Sequence, residues 1–410
     1  AVELCLDFNR PADVQLSAFF RHYPKLGARE RAFIAETVYG VIRRLRSLEY
    51  LAVGGSGRTP TPRRLVLAWL ARFGGHNLRE LEPLVGKHKA ELAWLRGIKG
   101  VDLGALPEAQ RLDLPDWLYE RLAAQYGDAL PGLMETLNAP APLDLRVNPA
   151  KLGREEALAA MEKEGLAAEP TPYSPLGLRL KGKPALQKHP LFLDGSLEVQ
   201  DEGSQLLGQL LAPRRGEMVC DFCAGAGGKT LLLGAMMRSS GRLYAFDVSE
   251  KRLAKLKPRL ARSGLSNVQA QVITSERDAK VKRLAGKFDR VLVDAPCSGL
   301  GTLRRNPDLK WRQGPESVAE LIEKQQSILD SSSRLVKAGG RLVYATCSLL
   351  TEENEAIVDA FLAAHHEFHQ VPAGEVLAAQ RIKLEMGDNL RLDPARHGTD
   401  GFFAAVLERN

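Results

Sequence analysis

Ten residues, Asp221 to Thr230 (DFCAGAGGKT), constrain the fold more than any other stretch of the chain. They follow an apolar run, Met218 to Phe222, patterned as a buried strand, and lead into Leu231 to Met237, patterned as a helix. Strand, glycine-rich turn and helix start in that order make the ligand-holding corner of doubly wound α/β folds. The glycines let backbone approach the ligand, and the helix N-terminus presents free N–H groups. Three ligand classes compete for such a turn. A phosphate loop needs G-x-x-x-x-G-K-[ST]; Gly228-Lys229-Thr230 fits its end, but Cys223 stands where the first glycine belongs. A dinucleotide loop needs G-x-G-x-x-G; Gly225 and Gly227 fit, but Thr230 replaces the third glycine. S-adenosylmethionine tolerates a looser turn, having no phosphate to cradle. Asp247 closes the next apolar strand, Arg242 to Phe246, roughly 20 residues on, where a carboxylate grips a ribose diol. That favours an adenosine-type ligand and leaves open which one.

The rest of the chain arranges itself around this corner. Its 410 residues suffice for two or three domains. Residues 196–410 alternate strand and helix, which implies a mostly parallel, Rossmann-like α/β sheet. Strands are expected near 218–223, 242–247, 268–273, 290–294 and 341–346, and helices near 230–239, 249–262, 316–337 and 351–365. Phe402 to Leu407 reads as an added antiparallel strand. Residues 1–130 read as an all-α bundle, with apolar residues at helical spacing over Val14–Tyr23, Ala28–Ala52, Arg63–Phe73 and Pro115–Tyr126. Its breaks are Gly54-Gly55-Ser56-Gly57 and Gly74-Gly75. Residues 131–195 are crowded with prolines and read as a small α+β domain, with strands at Leu143–Val147 and Leu176–Leu180 and a helix at Arg154–Glu164.

Charge is concentrated at the front. Arg21 to Arg72 holds eleven Arg or Lys against Glu30, Glu36 and Glu49, a local excess above the whole chain's net +7. Arg43, Arg44 and Arg46 share one predicted helix with an apolar face of Phe33, Ile34, Val38 and Val41. A helical bundle with a basic surface points to nucleic acid, and Arg146, Lys181, Lys183 and Lys188 add candidate phosphate contacts. The apolar stretches are too short to span a membrane, so no membrane partner is expected. The sequence opens at Ala1 without a signal-peptide pattern. Five unevenly placed cysteines make no disulfide framework, and a reducing cytoplasm is the natural setting.

Two of those cysteines sit in equivalent places. Arg290–Asp294 is a strand running into Ala295-Pro296-Cys297-Ser298-Gly299, and Arg341–Ala345 is a strand running into Thr346-Cys347-Ser348. Both thiols therefore fall just past the carboxyl ends of parallel strands, on the rim where open α/β sheets bind ligands. Cys220 reads instead as a small mid-strand apolar residue. With no second pair to complete it, Cys220-x-x-Cys223 is too weak a pattern to predict a metal. A thiol beside a methyl donor has a specific use. Carbon 5 of a pyrimidine is a poor nucleophile until a thiolate adds to carbon 6 and places electron density on carbon 5. Asp294 is positioned to hydrogen-bond the N3 edge of such a base, and a second thiol could assist breakdown.

DFCAGAGGKT, VDAPCSGLG (293–301) and YATCS (344–348), with EVQDEGSQL (198–206) ahead of them, resemble the RNA 5-methylcytosine methyltransferases of the NOL1/NOP2/Sun family. LGARERAFIAETVYGVIRR (26–44) is similar to the NusB-like domain of the family's bacterial Fmu branch, so the resemblance spans nearly the whole chain. It implies S-adenosylmethionine as methyl donor and small-subunit (16S) ribosomal RNA as substrate; a monomer is the expected state. Cys347 would attack carbon 6, Cys297 would help release the methylated RNA, and Asp294 would contact the base near the donor methyl. Cys223, Ala224, Gly225, Ala226, Gly227, Gly228 and Lys229 would wrap the methionine part of the donor, with Lys229 also facing the reaction centre, and Asp247 would take the ribose. The family's usual CAAPGGKT here has Gly225 and Ala226 in place of Ala and Pro. Its Gly-Asp after the third strand is missing; Glu276 takes that place by adenine, with Asp278 as rival. Arg304, Arg305, Lys310 and Trp311 mix charge with an aromatic as a single-stranded RNA contact would. Two other readings of the chain stand beside this one. The first is a phosphate-loop NTPase, for which Val291–Asp294 imitates the strand ending in a Mg²⁺-binding Asp. The second is a non-catalytic RNA-binding assembly factor.

Overall fold

The computed structural model describes every residue except 57, 87 and 183. The turn position Gly57 and the candidate phosphate contact Lys183 therefore lie outside the described residues. Two compact units emerge, Ala1–Pro140 with Thr302–Pro315, and Ala141–Gly301 with Glu316–Asn410.

The first unit is helical. Its principal helices are Ala12–His22, Ala28–Arg43, Leu45–Val53, Pro62–Arg72, Leu78–Val85, Lys89–Lys99, Asp116–Tyr126 and Leu130–Leu137. The expected single helix over Ala28–Ala52 breaks at Arg44, whose backbone leaves helical geometry. Leu78–Val85 and Lys89–Lys99 lie outside the sequence-predicted helices; Pro83 and the nearby glycines obscure their period. The core gathers Leu48, Leu51, Leu65, Trp69, Leu81 and Leu95, all buried.

The basic surface expected here is partly an internal one. Arg43 donates to the Arg304 carbonyl at 2.8 Å, Arg44 reaches Asp113 at 3.5 Å, and Arg46 binds the Leu114 carbonyl and Asp116. Phe33, read as part of the apolar face, is exposed. The segment expected to contact RNA is corrected too. Arg304 and Lys310 are buried, and Trp311 packs on the helical core and donates its indole N–H to the Ile42 carbonyl at 2.9 Å. Arginine and lysine stems bury readily when backbone carbonyls and amides receive their heads.

The second unit holds both sheets. A four-stranded antiparallel sheet comprises β1 (Leu143–Val147), β2 (Ala168–Pro170), β3 (Gly177–Leu180) and β4 (Leu197–Val199), in the order β2-β3-β1-β4. The large sheet contains β5 (Met218–Asp221), β6 (Arg242–Asp247), β7 (Val268–Val272), β8 (Phe288–Asp294), β9 (Val336–Thr346), β10 (Phe368–Val371), β11 (Asn389–Leu392) and β12 (Phe402–Arg409). Its order is β10-β12-β9-β8-β5-β6-β7, with β11 also paired to β12. Strands β5 to β9 are parallel neighbours, and β12 runs antiparallel to β9. The Rossmann-like α/β fold and the late antiparallel strand both match the sequence reading.

Val219, Cys220, Val291, Leu292, Leu342 and Val343 are fully buried, because helices cover both faces of the parallel strands. Each such aliphatic side chain contributes about 1.5–3 kcal/mol by leaving water. After β5 the chain winds outward through β6 and β7, then returns on the other side of β5 as β8. The carboxyl ends of β5 and β8 thus flank the point where the winding reverses, which is where these sheets open a ligand crevice.

Candidate active site

The glycine turn is built by the ends of β5 and β6. The Ala224 N–H donates to the Phe246 carbonyl at 2.8 Å. The Gly225 N–H donates to Asp247 Oδ2 at 2.8 Å, and the Ser249 N–H to Oδ1 at 2.7 Å. Gly227 has φ +83°, and a Cβ there would lie 2.3 Å from Leu256, so only glycine fits. Two arginines fix the turn through its carbonyls: Arg146 donates to the Gly228 carbonyl at 2.7 Å, and Arg259 to the Ala226 carbonyl at 2.6 Å. Arg146 is 2% exposed and also bound to Gln200. It is a brace for the turn, not the phosphate contact expected from sequence; Lys181 and Lys188 remain exposed.

A cavity of about 610 Å³ opens above the turn, within the size range of small-molecule sites. Cys223, Ala224, Gly225, Ala226, Gly228 and Lys229 line it, with Asp247, Glu276, Asp294, Cys297 and Cys347. Lys229 donates to Asp294 Oδ2 at 2.6 Å. Burial, the largest single influence, works against its charge, but Asp294 together with Asp221 and Cys347 more than offsets it and raises the pKa. Asp221 accepts from the Thr230 hydroxyl at 2.6 Å. Burial pushes its carboxyl up to about 6, and its Oδ1 is buried without a protein donor.

The two thiols meet on the same rim. Cys297 Sγ and Cys347 Sγ are 3.5 Å apart, although they follow different strands. Adjacent pairing of β8 and β9, with Asp294 opposite Ala345, brings the two turns together, and the Ala295 and Gly301 N–H groups donate to the Ala345 and Cys347 carbonyls across them. The hydrogen bond to Cys347, reinforced by burial, holds the Cys297 thiol well above the usual range. Either sulfur can donate in this contact. Burial likewise pushes up Cys223 and Cys220.

A family model for the 16S rRNA methyltransferase RsmB/F matches residues 208–408. A ferredoxin-like domain of RsmF/B-like methyltransferases matches residues 114–187. Over 434 aligned residues the chain is 34% identical to a probable ribosomal RNA small subunit methyltransferase B of Synechocystis sp., covering 98% of this chain and 97% of that protein. The chain belongs to the ribosomal RNA small subunit methyltransferase B family. Membership makes it a methyltransferase of small-subunit ribosomal RNA that uses S-adenosylmethionine, and removes the phosphate-loop NTPase reading. The family's architecture recurs in crystal structures. The protein PH0851 superposes with a TM-score of 0.80 at 28% identity over 100% of this chain and 97% of that one. A methyltransferase homolog from Pyrococcus horikoshii superposes with a TM-score of 0.65, also at 28% identity, over 76% of this chain and 100% of that one.

The cavity fits the family's cofactor. Asp247 ends β6 at the turn, the glycines leave the turn's backbone open, and the unpartnered Asp221 Oδ1 offers an acceptor to a ligand donor. Of the two acids proposed by sequence after β7, Glu276 lines the cavity. Asp278 instead caps the short helix Ala279–Lys282. Gly227 supports the turn without lining the cavity. Sequence reasoning passed over Gln200, Ser204, Arg252, Arg259 and Lys324, which also line it. The EVQDEGSQL stretch was the available signal for the first two; nothing marks the others, because their neighbours are ordinary surface helix residues.

Proposed function

We propose that the enzyme methylates carbon 5 of a cytosine in 16S ribosomal RNA through a temporary bond to Cys347. The 3.5 Å approach of Cys297 to Cys347 on the rim of the glycine-turn cavity carries this reading. A thiolate at Cys347 adds to carbon 6 of the flipped-out base, and the carbon 5–carbon 6 π electrons move onto carbon 5. S-adenosylmethionine supplies, when bound, an electrophilic methyl group. After transfer carbon 5 bears both a hydrogen and the methyl. A base at the site removes that proton, the electron pair re-forms the ring double bond, and the carbon–sulfur bond breaks to return the Cys347 thiolate. Cys297, held as a thiol beside the leaving sulfur, assists this release.

Asp294 serves two tasks in this reading: it keeps Lys229 charged and presents a carboxylate to the base edge. The turn from Cys223 to Lys229 holds the methionine part of the donor, Asp247 its ribose, and Glu276 the adenine side. Exposed cations outside the cavity, among them Arg21, Lys25, Arg29, Lys181 and Lys188, supply the salt-sensitive phosphate contacts. The enzyme acts as a cytoplasmic monomer.

The test is transfer of a labelled methyl group to 16S ribosomal RNA, followed by nucleoside analysis. Label in 5-methylcytidine supports the proposal. Label in another nucleoside overturns the chemistry, and RNA binding without transfer returns the chain to a non-catalytic assembly factor.

A further inference from the structure

The dipeptide Cys-Ser occurs twice on the rim, at 297–298 and 347–348, and both serines turn to one buried carboxylate. Glu353, fully buried in the turn Thr351–Glu353, accepts the Ser298 N–H at 2.8 Å and the Gln325 side-chain amide at 2.9 Å on Oε1. Its Oε2 accepts the Ser298 hydroxyl at 2.5 Å and the Ser348 hydroxyl. The two hydroxyls are themselves 3.0 Å apart. Gln325, on the helix Pro315–Ser333, also donates to the Pro296 carbonyl at 3.0 Å, and Tyr344 of β9 anchors the Glu353 carbonyl at 2.7 Å. All four of these donors to the carboxylate are neutral. A carboxylate buried among neutral donors is costly unless every lone pair is used, and here its donors come from both cysteine turns and the helix beside them.

We propose that Glu353 is a positioning residue that sets the separation and orientation of the two thiols. The inference rests on the thiol chemistry proposed above. Hydrogen bonds along β8 and β9 align the strands, but the cysteines lie beyond the strand ends, where the ladder gives way to the Gly301 N–H bond to the Cys347 carbonyl. The carboxylate replaces the ladder by tying Ser298 and Ser348 to a common point one residue past each sulfur. Misplacement of reacting groups by about 1 Å costs on the order of 10²-fold in rate, so loosening the tie lowers turnover without touching the donor site.

Glu353→Gln keeps the volume and loses the second full acceptor. Ser298→Ala with Ser348→Ala keeps the carboxylate and removes the two hydroxyl donors. The direct readout is the rate at which diamide, a two-electron oxidant that takes up the two thiol protons, joins Cys297 to Cys347. This rate reports the sulfur–sulfur approach and needs no RNA. Both variants are expected to form the disulfide about tenfold or more slowly than the parent. They are also expected to lower kcat for methyl transfer by on the order of 10²-fold, with KM for S-adenosylmethionine unchanged. If Glu353→Gln does not fold, the double serine variant decides. Parental disulfide and methyl-transfer rates in a folded variant overturn the proposal. Slower disulfide formation in the variants, with no RNA adduct formed by any protein, would sustain the positioning role and defeat the adduct chemistry instead.

Discussion

Two lysines, Lys229 half-buried in one unit and Lys310 fully buried in the other, meet opposite fates. Lys229, at the mouth of the glycine turn, meets the Asp294 carboxylate at 2.6 Å and stays cationic despite its burial. Lys310 is 1% exposed and donates to the Arg43 carbonyl at 2.9 Å and the Asn138 amide oxygen at 3.0 Å. Burial pulls its pKa from 10.5 down to about 7, against the attraction of Asp113. Both follow glycine- or charge-rich stretches that invite a functional reading. Only the lysine given a carboxylate in a cavity can offer a charge to a substrate; the other plugs a helical core.

The comparison breaks most visibly at activity. Lys229→Met is expected to lower methyl transfer by about 10²–10³-fold, the scale for losing a placed charge at a reacting centre. Lys310→Met should leave the transfer rate of the folded protein essentially unchanged. Equal losses in single-turnover assays would mean that Lys310 serves the RNA after all.

Next in size is the donor site. Asp247→Ala removes the carboxylate that accepts the Gly225 and Ser249 N–H groups, and should weaken S-adenosylmethionine binding by about 1–3 kcal/mol in calorimetry. Unaltered affinity would remove Asp247 from the proposed ribose site.

The helical unit answers to pH. An unfolded chain protonates Lys310 up to about pH 10.5, the native one only up to about pH 7. The unfolded state therefore binds more protons between these values, and stability rises with pH across that window, by a few kcal/mol at most. Asp113, raised by burial above 3.8, gives the opposite slope in the acid range. All four tryptophans (69, 94, 117 and 311) lie in the helical unit, so their fluorescence follows its unfolding. Lys310→Met should flatten the rise above pH 7; an unchanged slope would assign it to another group. The smallest effect belongs to Arg252→Ala, whose guanidinium, 3.3 Å from the buried Asp247, is itself more than half exposed. It should alter chemical denaturation by less than about 1 kcal/mol.

What could be read from sequence follows from how each feature is encoded. The parallel sheet was legible because its strands are continuous apolar runs, and the turn because glycines at 225 and 227 have few other uses. The two cysteines were legible from their position after strands β8 and β9. Side-chain direction was not. Arg146, Arg304 and Lys310 have the composition of a nucleic-acid surface, yet all three are buried, and the stems of Arg146 and Lys310 run inward to carbonyl and amide acceptors that come from distant parts of the sequence. Glu353 was hidden for a related reason: it sits in an acidic run, Glu352-Glu353-Asn354-Glu355, that looks like a solvated helix start.

The most direct measurement is peptide mapping of the protein–RNA adduct that survives denaturing gels, made with Cys297→Ala and Cys347→Ala after incubation with 16S ribosomal RNA and S-adenosylmethionine. Cys297→Ala should accumulate an adduct whose modified peptide contains Cys347, and Cys347→Ala should form none. An adduct retained by Cys347→Ala, attached through Cys297, would contradict the account.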